Sequence, residues 1–285
     1  MGRAARKAPA KETAQKQPVV VSCVNLKGGV GKTAIAVNFA AYCGRKGLRT
    51  LLIDLDPQTN ATFSCISVPD WETHATTNGT VANLLGVRQH TNAEGKTKTA
   101  KNVILKNVFQ GVDLLPSHLD LFTIDLDLGS EVARESRLRR AIRDVLRFYD
   151  IIVCDCPPNL TIPTQNALAI STHFVVPVSL DFLSSLGIAL LLNRIAKLSV
   201  LLENPLKNAG IVISRVGRRS YFRTQTAQTL QTAFKNMVLS TQIAERTSVA
   251  QSAAKNCSIF DMNDTTAISE FTALGDELLA KLNAK

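Results

Sequence analysis

Lys27-Gly28-Gly29-Val30-Gly31-Lys32-Thr33 follows directly on an apolar run, Val19 to Asn25, and leads into a stretch whose apolar residues Ile35, Val37, Phe39, Ala40 and Tyr42 mark a helix over Thr33 to Arg45. Strand, glycine-rich loop and helix in that order are the setting that a phosphate cradle needs. Glycines let the backbone curl until its N–H groups converge on a β-phosphate, and the helix N-terminus adds partial positive charge. In such a loop Lys32 reaches the β and γ oxygens, while Thr33 offers its hydroxyl to Mg²⁺. The standard pattern opens on glycine, where this chain has Leu26, so the match is to a variant loop with Lys27 at its start.

Working outward, apolar runs at Thr50 to Asp54, Val112 to Leu115, Ile151 to Cys154, His173 to Pro177 and Gly210 to Ser214 read as buried parallel strands. Helical stretches lie between them, and that alternation predicts an α/β fold, a doubly wound, mostly parallel sheet with helices on both faces. Leu138, Ile142, Val145 and Leu146 form one such stripe, with Arg137, Arg139, Arg140, Arg143 and Arg147 as its solvated face. Ile268, Phe271, Leu274, Leu278 and Leu282 give the terminal segment the same form. Residues 88 to 102, rich in Asn, Thr, Gly and Lys, read as an exposed loop.

At 285 residues and 45% hydrophobic content the chain can bury a large core, and one domain over residues 18–285 is expected. No apolar run reaches the roughly 18 to 20 residues that span a bilayer, and no apolar secretory segment opens the chain, so a cytoplasmic location is expected. The six cysteines are scattered through apolar segments, as buried, reduced thiols would be. Cys154 and Cys156 have no second pair at zinc-finger spacing and read as packing. The net charge of +10 points to phosphate-rich partners. Part of it sits in residues 1–17, where Arg3, Arg6, Lys7, Lys11 and Lys16 face Glu12 alone and no apolar period exists; a disordered tail is expected there.

The loop Lys27 to Thr33, the segment Asp54-Leu55-Asp56-Pro57-Gln58 and the run Tyr149-Asp150-Ile151-Ile152-Val153-Cys154-Asp155-Cys156-Pro157-Pro158 together resemble the ParA branch of the ParA/MinD deviant Walker A ATPases, over roughly residues 18–285. The chain departs from the family pattern at Ala34, where a second threonine is common, and at Cys156, often a threonine. The resemblance implies an ATP site formed by Lys27, Gly28, Gly29, Val30, Gly31, Lys32, Thr33 and Ala34. It implies Mg²⁺ held by Thr33 directly and by Asp155 through water. Asp54 and Asp56 end the neighbouring strand, where one carboxylate can orient the attacking water, and the family match assigns that mainly to Asp56. Lys27 would reach across a two-fold interface to the partner subunit's phosphates, making ATP part of the homodimer contact.

The resemblance further implies sequence-independent DNA binding by the ATP dimer on the nucleoid, a ParB-like or other adaptor that stimulates hydrolysis, and a cargo such as a plasmid or chromosome. Arg219, with Arg218 and Arg246, are the candidate DNA contacts. So near an N-terminus, the loop leaves no room for a preceding helix-turn-helix, so operator-specific repression is not expected. A MinD-like membrane-associated ATPase is the alternative, but it calls for a basic amphipathic helix at the C-terminus, whereas the chain ends Leu278-Leu279-Ala280-Lys281-Leu282-Asn283-Ala284-Lys285. An iron–sulfur reductase would need cluster cysteines from two loops.

Overall fold

In this computed structural model, residues 17–88, 97–180, 184–217 and 220–283 are described. The basic tail (residues 1–16), part of the predicted loop (89–96), and Arg218 and Arg219 lie outside them. Eight strands run β1 (Val19–Cys23), β2 (Thr50–Asp54), β3 (Leu105–Phe109), β4 (Val112–Leu115), β5 (Ile151–Asp155), β6 (His173–Val178), β7 (Lys207–Val216) and β8 (Val238–Ala244). Before β5 the helices are α1 (Lys32–Arg45), α2 (Asn60–Phe63), α3 (Val68–Thr77), α4 (Val81–Leu85), α5 (Ala100–Val103), α6 (Ile124–Asp127) and α7 (Arg137–Ile142). After it come α8 (Ile162–Ile170), α9 (Ser184–Leu201), α10 (Tyr221–Phe234), α11 (Thr247–Ala254) and α12 (Thr265–Leu282).

The strands form one sheet in the order β3-β4-β2-β5-β1-β6-β7-β8, parallel except for β3 against β4. Both faces are buried, which explains the unbroken aliphatic runs. Val21, Leu52, Val153, Val175 and Val212 pack with residues of α1 and α12, while Val20, Leu51, Ile53, Ile152, Val176 and Ile211 face a second cluster on the other side. Two strands escape the sequence reading. β3 is half exposed and carries Asn107 in the left-handed region, φ +53°, so it lacks an apolar run. β8 lies at the opposite edge, with a mixed pattern of burial. Its amides at Ser240 and Thr241 donate to the Glu277 carboxylate at 2.8 and 3.0 Å, and that of Ala244 to Glu270 at 3.1 Å, so α12 caps this margin with acid.

The predicted helical stripe through Leu146 is also corrected. The α-helix stops at Ile142, and a separate 3₁₀ turn, Leu146–Phe148, leads into Tyr149. Leu138, Ile142 and Val145 nonetheless all face the core, because the apolar period outlasts the regular hydrogen bonding. In the predicted loop, Arg88 pairs with Asp120 and Ala100–Val103 turns into a short helix.

One glycine fixes how closely α1 lies against the sheet. A Cβ on Gly44 would stand 2.1 Å from the Gln110 carbonyl oxygen in the β3–β4 turn and 2.8 Å from Val112. Backbone cannot yield as a flexible side chain can, so Gly44→Ala is expected to cost about 1–3 kcal/mol or more of overpacking. A lowered denaturant midpoint with an unchanged m-value is the expected result.

Candidate active site

The carboxyl ends of the three central strands are level. Cys23 of β1 and Asp54 of β2 both stand opposite Asp155 of β5 in the parallel register. Aligned residues of neighbouring parallel strands point to one face, with strands about 4.8 Å apart. Cys23 packs in the cluster beneath α1, so both carboxylates emerge on that side. The loop after β1 curls over this row, with Gly29 and Gly31 at φ +73° and +83°, a conformation that L side chains resist. Gly31 stands just ahead of α1, which opens with Lys32 and Thr33 over the carboxylates. Asn25 stiffens the loop's start: its amide nitrogen donates to the Pro177 carbonyl at 2.6 Å, and its oxygen accepts from the Lys27 N–H at 2.9 Å.

Lys32 is buried, and its ammonium donates to the Lys27 carbonyl at 3.1 Å. Burial pushes its pKa down, against the fields of Asp155 and Asp56, which push it up. Asp155 is wholly buried, and neither of its oxygens finds a hydrogen bond of ordinary geometry among the described residues. Burial, then the charge of Asp54, lift its pKa well above the usual carboxylate range, while the Thr33 hydroxyl and the Lys32 ammonium pull it down. A buried carboxylate with no donor of its own is costly unless something positive meets it. Next to Thr33 and a phosphate cradle, it has the chemistry for Mg²⁺, which takes one or two protein oxygens together with phosphate oxygens and water.

The geometry separates the two aspartates of the β2 end. Asp54 is wholly buried and held by three donors: it accepts from the Asp56 N–H at 3.0 Å, the Thr62 N–H at 2.8 Å and the Thr62 hydroxyl at 2.7 Å. Burial raises its pKa to about 7, against those three donors. The network continues through Thr62, whose hydroxyl oxygen accepts from the Ser117 N–H, and Ser117 donates its own hydroxyl to the Asp56 carbonyl. Asp56 is thereby held in place, and its side chain lines the cavity, with one oxygen accepting the Gln58 N–H at 2.9 Å. Burial raises its pKa too, while the Gln58 N–H and Lys32 lower it.

That cavity, about 990 Å³, runs from Gly28, Gly29, Gly31, Lys32, Thr33 and Ala34 past Asp56 to the walls formed by the end of β7 and by α11. Of the predicted site residues its lining holds Gly28, Gly29, Gly31, Lys32, Thr33, Ala34 and Asp56, and it does not include Lys27, Asp54 or Asp155. Val30 turns inward and is buried. Arg246 also lines the cavity, where its guanidinium donates to Glu270 at 2.6 Å. Residues missed in the sequence are Thr62 and Ser117, which hold the aspartates, and Ser214 and Arg215, which touch the loop. The last two stand where a predicted strand ends, and ligands in α/β sheets bind outside the carboxyl ends of strands, so position alone marks them. All six cysteines are free thiols, and burial lifts Cys154 to about 12, which leaves it inert. No described helix is long and apolar enough to cross a membrane.

A family model described as an AAA domain matches residues 19–208. The cell division protein PomZ of Myxococcus xanthus is 32% identical over 92% of this chain and 78% of its own length. The chromosome-partitioning ATPase Soj of Thermus thermophilus is 30% identical over 92% of this chain and 96% of its own. Among solved structures, a putative plasmid partition protein of Borrelia burgdorferi bound to AMPPNP superposes with a TM-score of 0.76 at 23% identity, covering 93% of this chain and all of that one, a likeness of fold.

Proposed function

The chain belongs to the ParA family of partition ATPases, and from that premise we propose that it hydrolyses ATP to switch a homodimer on and off DNA and so positions a large cargo in the cytoplasm. The observation that carries the reading is the unpartnered carboxylate of Asp155, level with Asp54 and beside Lys32 and Thr33 at the mouth of the glycine loop. A buried acid with so perturbed a pKa and no hydrogen bond of ordinary geometry is characteristic of a site that a ligand completes.

In this reading the N–H groups of Gly28 to Thr33 and the α1 N-terminus cradle the phosphates, and the Lys32 ammonium neutralises the β and γ oxygens. Thr33 and, through water, Asp155 hold Mg²⁺, which neutralises phosphate charge when bound. Asp56 takes the attacking water as a hydrogen-bond donor and aims it at the γ-phosphorus. Lys27, on the exposed start of the loop, reaches the phosphates of a second copy, so that ATP joins two chains. Arg219, with Arg218, meets DNA phosphates, and a ParB-like adaptor stimulates hydrolysis and resets the cycle.

Each subunit offers few arginines, so a dimer doubles the contacts on one surface and ATP becomes the licence to bind. Fluorescence anisotropy on two unrelated duplexes over a salt series tests this. Binding should require ATP, be equal on both duplexes and fall steeply with salt, and Arg219→Ala should flatten the slope of log affinity against log salt by about 1 to 2 units. ATP-independent binding by protein lacking residues 1–17 would overturn the switch.

A further inference from the structure

Where β7 passes the glycine loop its register with β8 shifts, between Ile213 and Val216, and Arg215 takes φ +53°. Neighbours on a regular strand point to opposite faces, and a bulge with one left-handed residue re-aims a side chain. Ser214 and Arg215 consequently both reach the loop. The Ser214 hydroxyl donates to the Val30 carbonyl at 2.5 Å, and Arg215 Nη1 donates to the Gly29 carbonyl at 2.7 Å. These are consecutive peptides of the phosphate cradle, 184 and 186 residues away along the chain.

In a planar trans peptide the C=O and the following N–H point in opposite directions. Drawing the Gly29 carbonyl towards β7 therefore turns the Val30 N–H away from that strand, and drawing the Val30 carbonyl does the same for the Gly31 N–H. Glycine at 29 and 31 leaves these peptides free to flip in a bare loop, so something must choose their orientation. Arg215 is itself anchored: Nε donates to the Glu245 carboxylate at 3.1 Å, Nη2 donates to the same oxygen, and the Glu245 N–H donates to the Val216 carbonyl at 3.0 Å. Left-handed backbone at a non-glycine residue persists where its surroundings over-determine it, and such residues cluster at functional sites.

We propose that Ser214 and Arg215 are positioning residues, which fix two peptide dipoles of the phosphate loop in the anion-binding orientation before the nucleotide arrives. The inference rests on the reading that this loop binds phosphate, and it adds a β7 latch to that site.

Arg215→Gly separates this role from a structural one, because glycine relieves the left-handed backbone while removing the guanidinium. Without nucleotide, the Arg215→Gly protein should melt at or above the wild-type temperature. Its Kd for ADP with magnesium, by calorimetry, should rise about tenfold or more, the loss of one charge-assisted hydrogen bond, with KM for ATP rising alongside. Ser214→Ala should weaken ADP in the same direction by less, and Arg215→Lys should recover part of the loss. Wild-type ADP affinity in both Arg215→Gly and Ser214→Ala would overturn the proposal, as would a melting temperature that falls in step with affinity. Wild-type protein that fails to bind ADP would overturn the phosphate-loop reading together with this one.

Discussion

Lys32→Ala is expected to leave a folded protein whose affinity for ATP and ADP falls by roughly 100-fold or more, since truncating one partner of a buried, hydrogen-bonded charge set costs several kcal/mol. Lys32 is the buried cation at the mouth of the loop, and its ammonium lowers the pKa of both Asp155 and Asp56. Without it the β and γ phosphate charges in the proposed site would lose their neutralising partner. The two carboxylates also lose it, so burial drives them further towards the protonated form, which holds Mg²⁺ poorly. Binding and metal assembly thus fail together. Calorimetric titration with ATP is the measurement, with a circular dichroism melt to show that the fold persists. Unchanged ATP affinity would remove Lys32 from the site.

Asp56→Ala should show the opposite division. Turnover is expected to fall by about 10²- to 10⁴-fold, the usual worth of a positioned base, while ATP still binds and still joins two chains. Asp54 cannot stand in, because it is wholly buried, does not line the cavity and already accepts three donors at 2.7 to 3.0 Å. Asp56 has one oxygen bound to the Gln58 N–H and faces the cavity. Light scattering should therefore detect a long-lived ATP dimer in a variant that releases almost no phosphate. Turnover near the wild-type rate would place the water elsewhere.

The central strands were legible because a strand buried on both faces has no room for polar residues, so Thr50 to Asp54 and Val112 to Leu115 match their runs to the residue. β7 extends from Lys207 to Val216, well beyond the run Gly210 to Ser214, because its ends keep the ladder while polar Lys207, Asn208 and Arg215 interrupt the apolar run that marks the centre. The edge strands β3 and β8 were hidden for the same reason in reverse: exposure lets polar residues in, and the period fades. In the site, Lys32, Thr33 and Asp155 could be read from one loop and one strand end. The preference for Asp56 over Asp54 came from the family match alone, and its physical ground, Thr62 folding back eight residues onto Asp54, is not visible in the sequence. Ser214 and Arg215 carry no motif: their place at a strand end is the one signal in the sequence, and the bulge that turns Arg215 onto the loop leaves none.

The acid-capped margin of β8 bears on solubility. A free parallel edge is a template on which strands of other copies can add without limit, the route to fibres and insoluble assemblies. Here the amides of Ser240, Thr241 and Ala244 are already taken by Glu277 and Glu270, and at the far edge Lys106 and the left-handed Asn107 spoil any regular ladder. Neither margin invites polymerisation through the backbone.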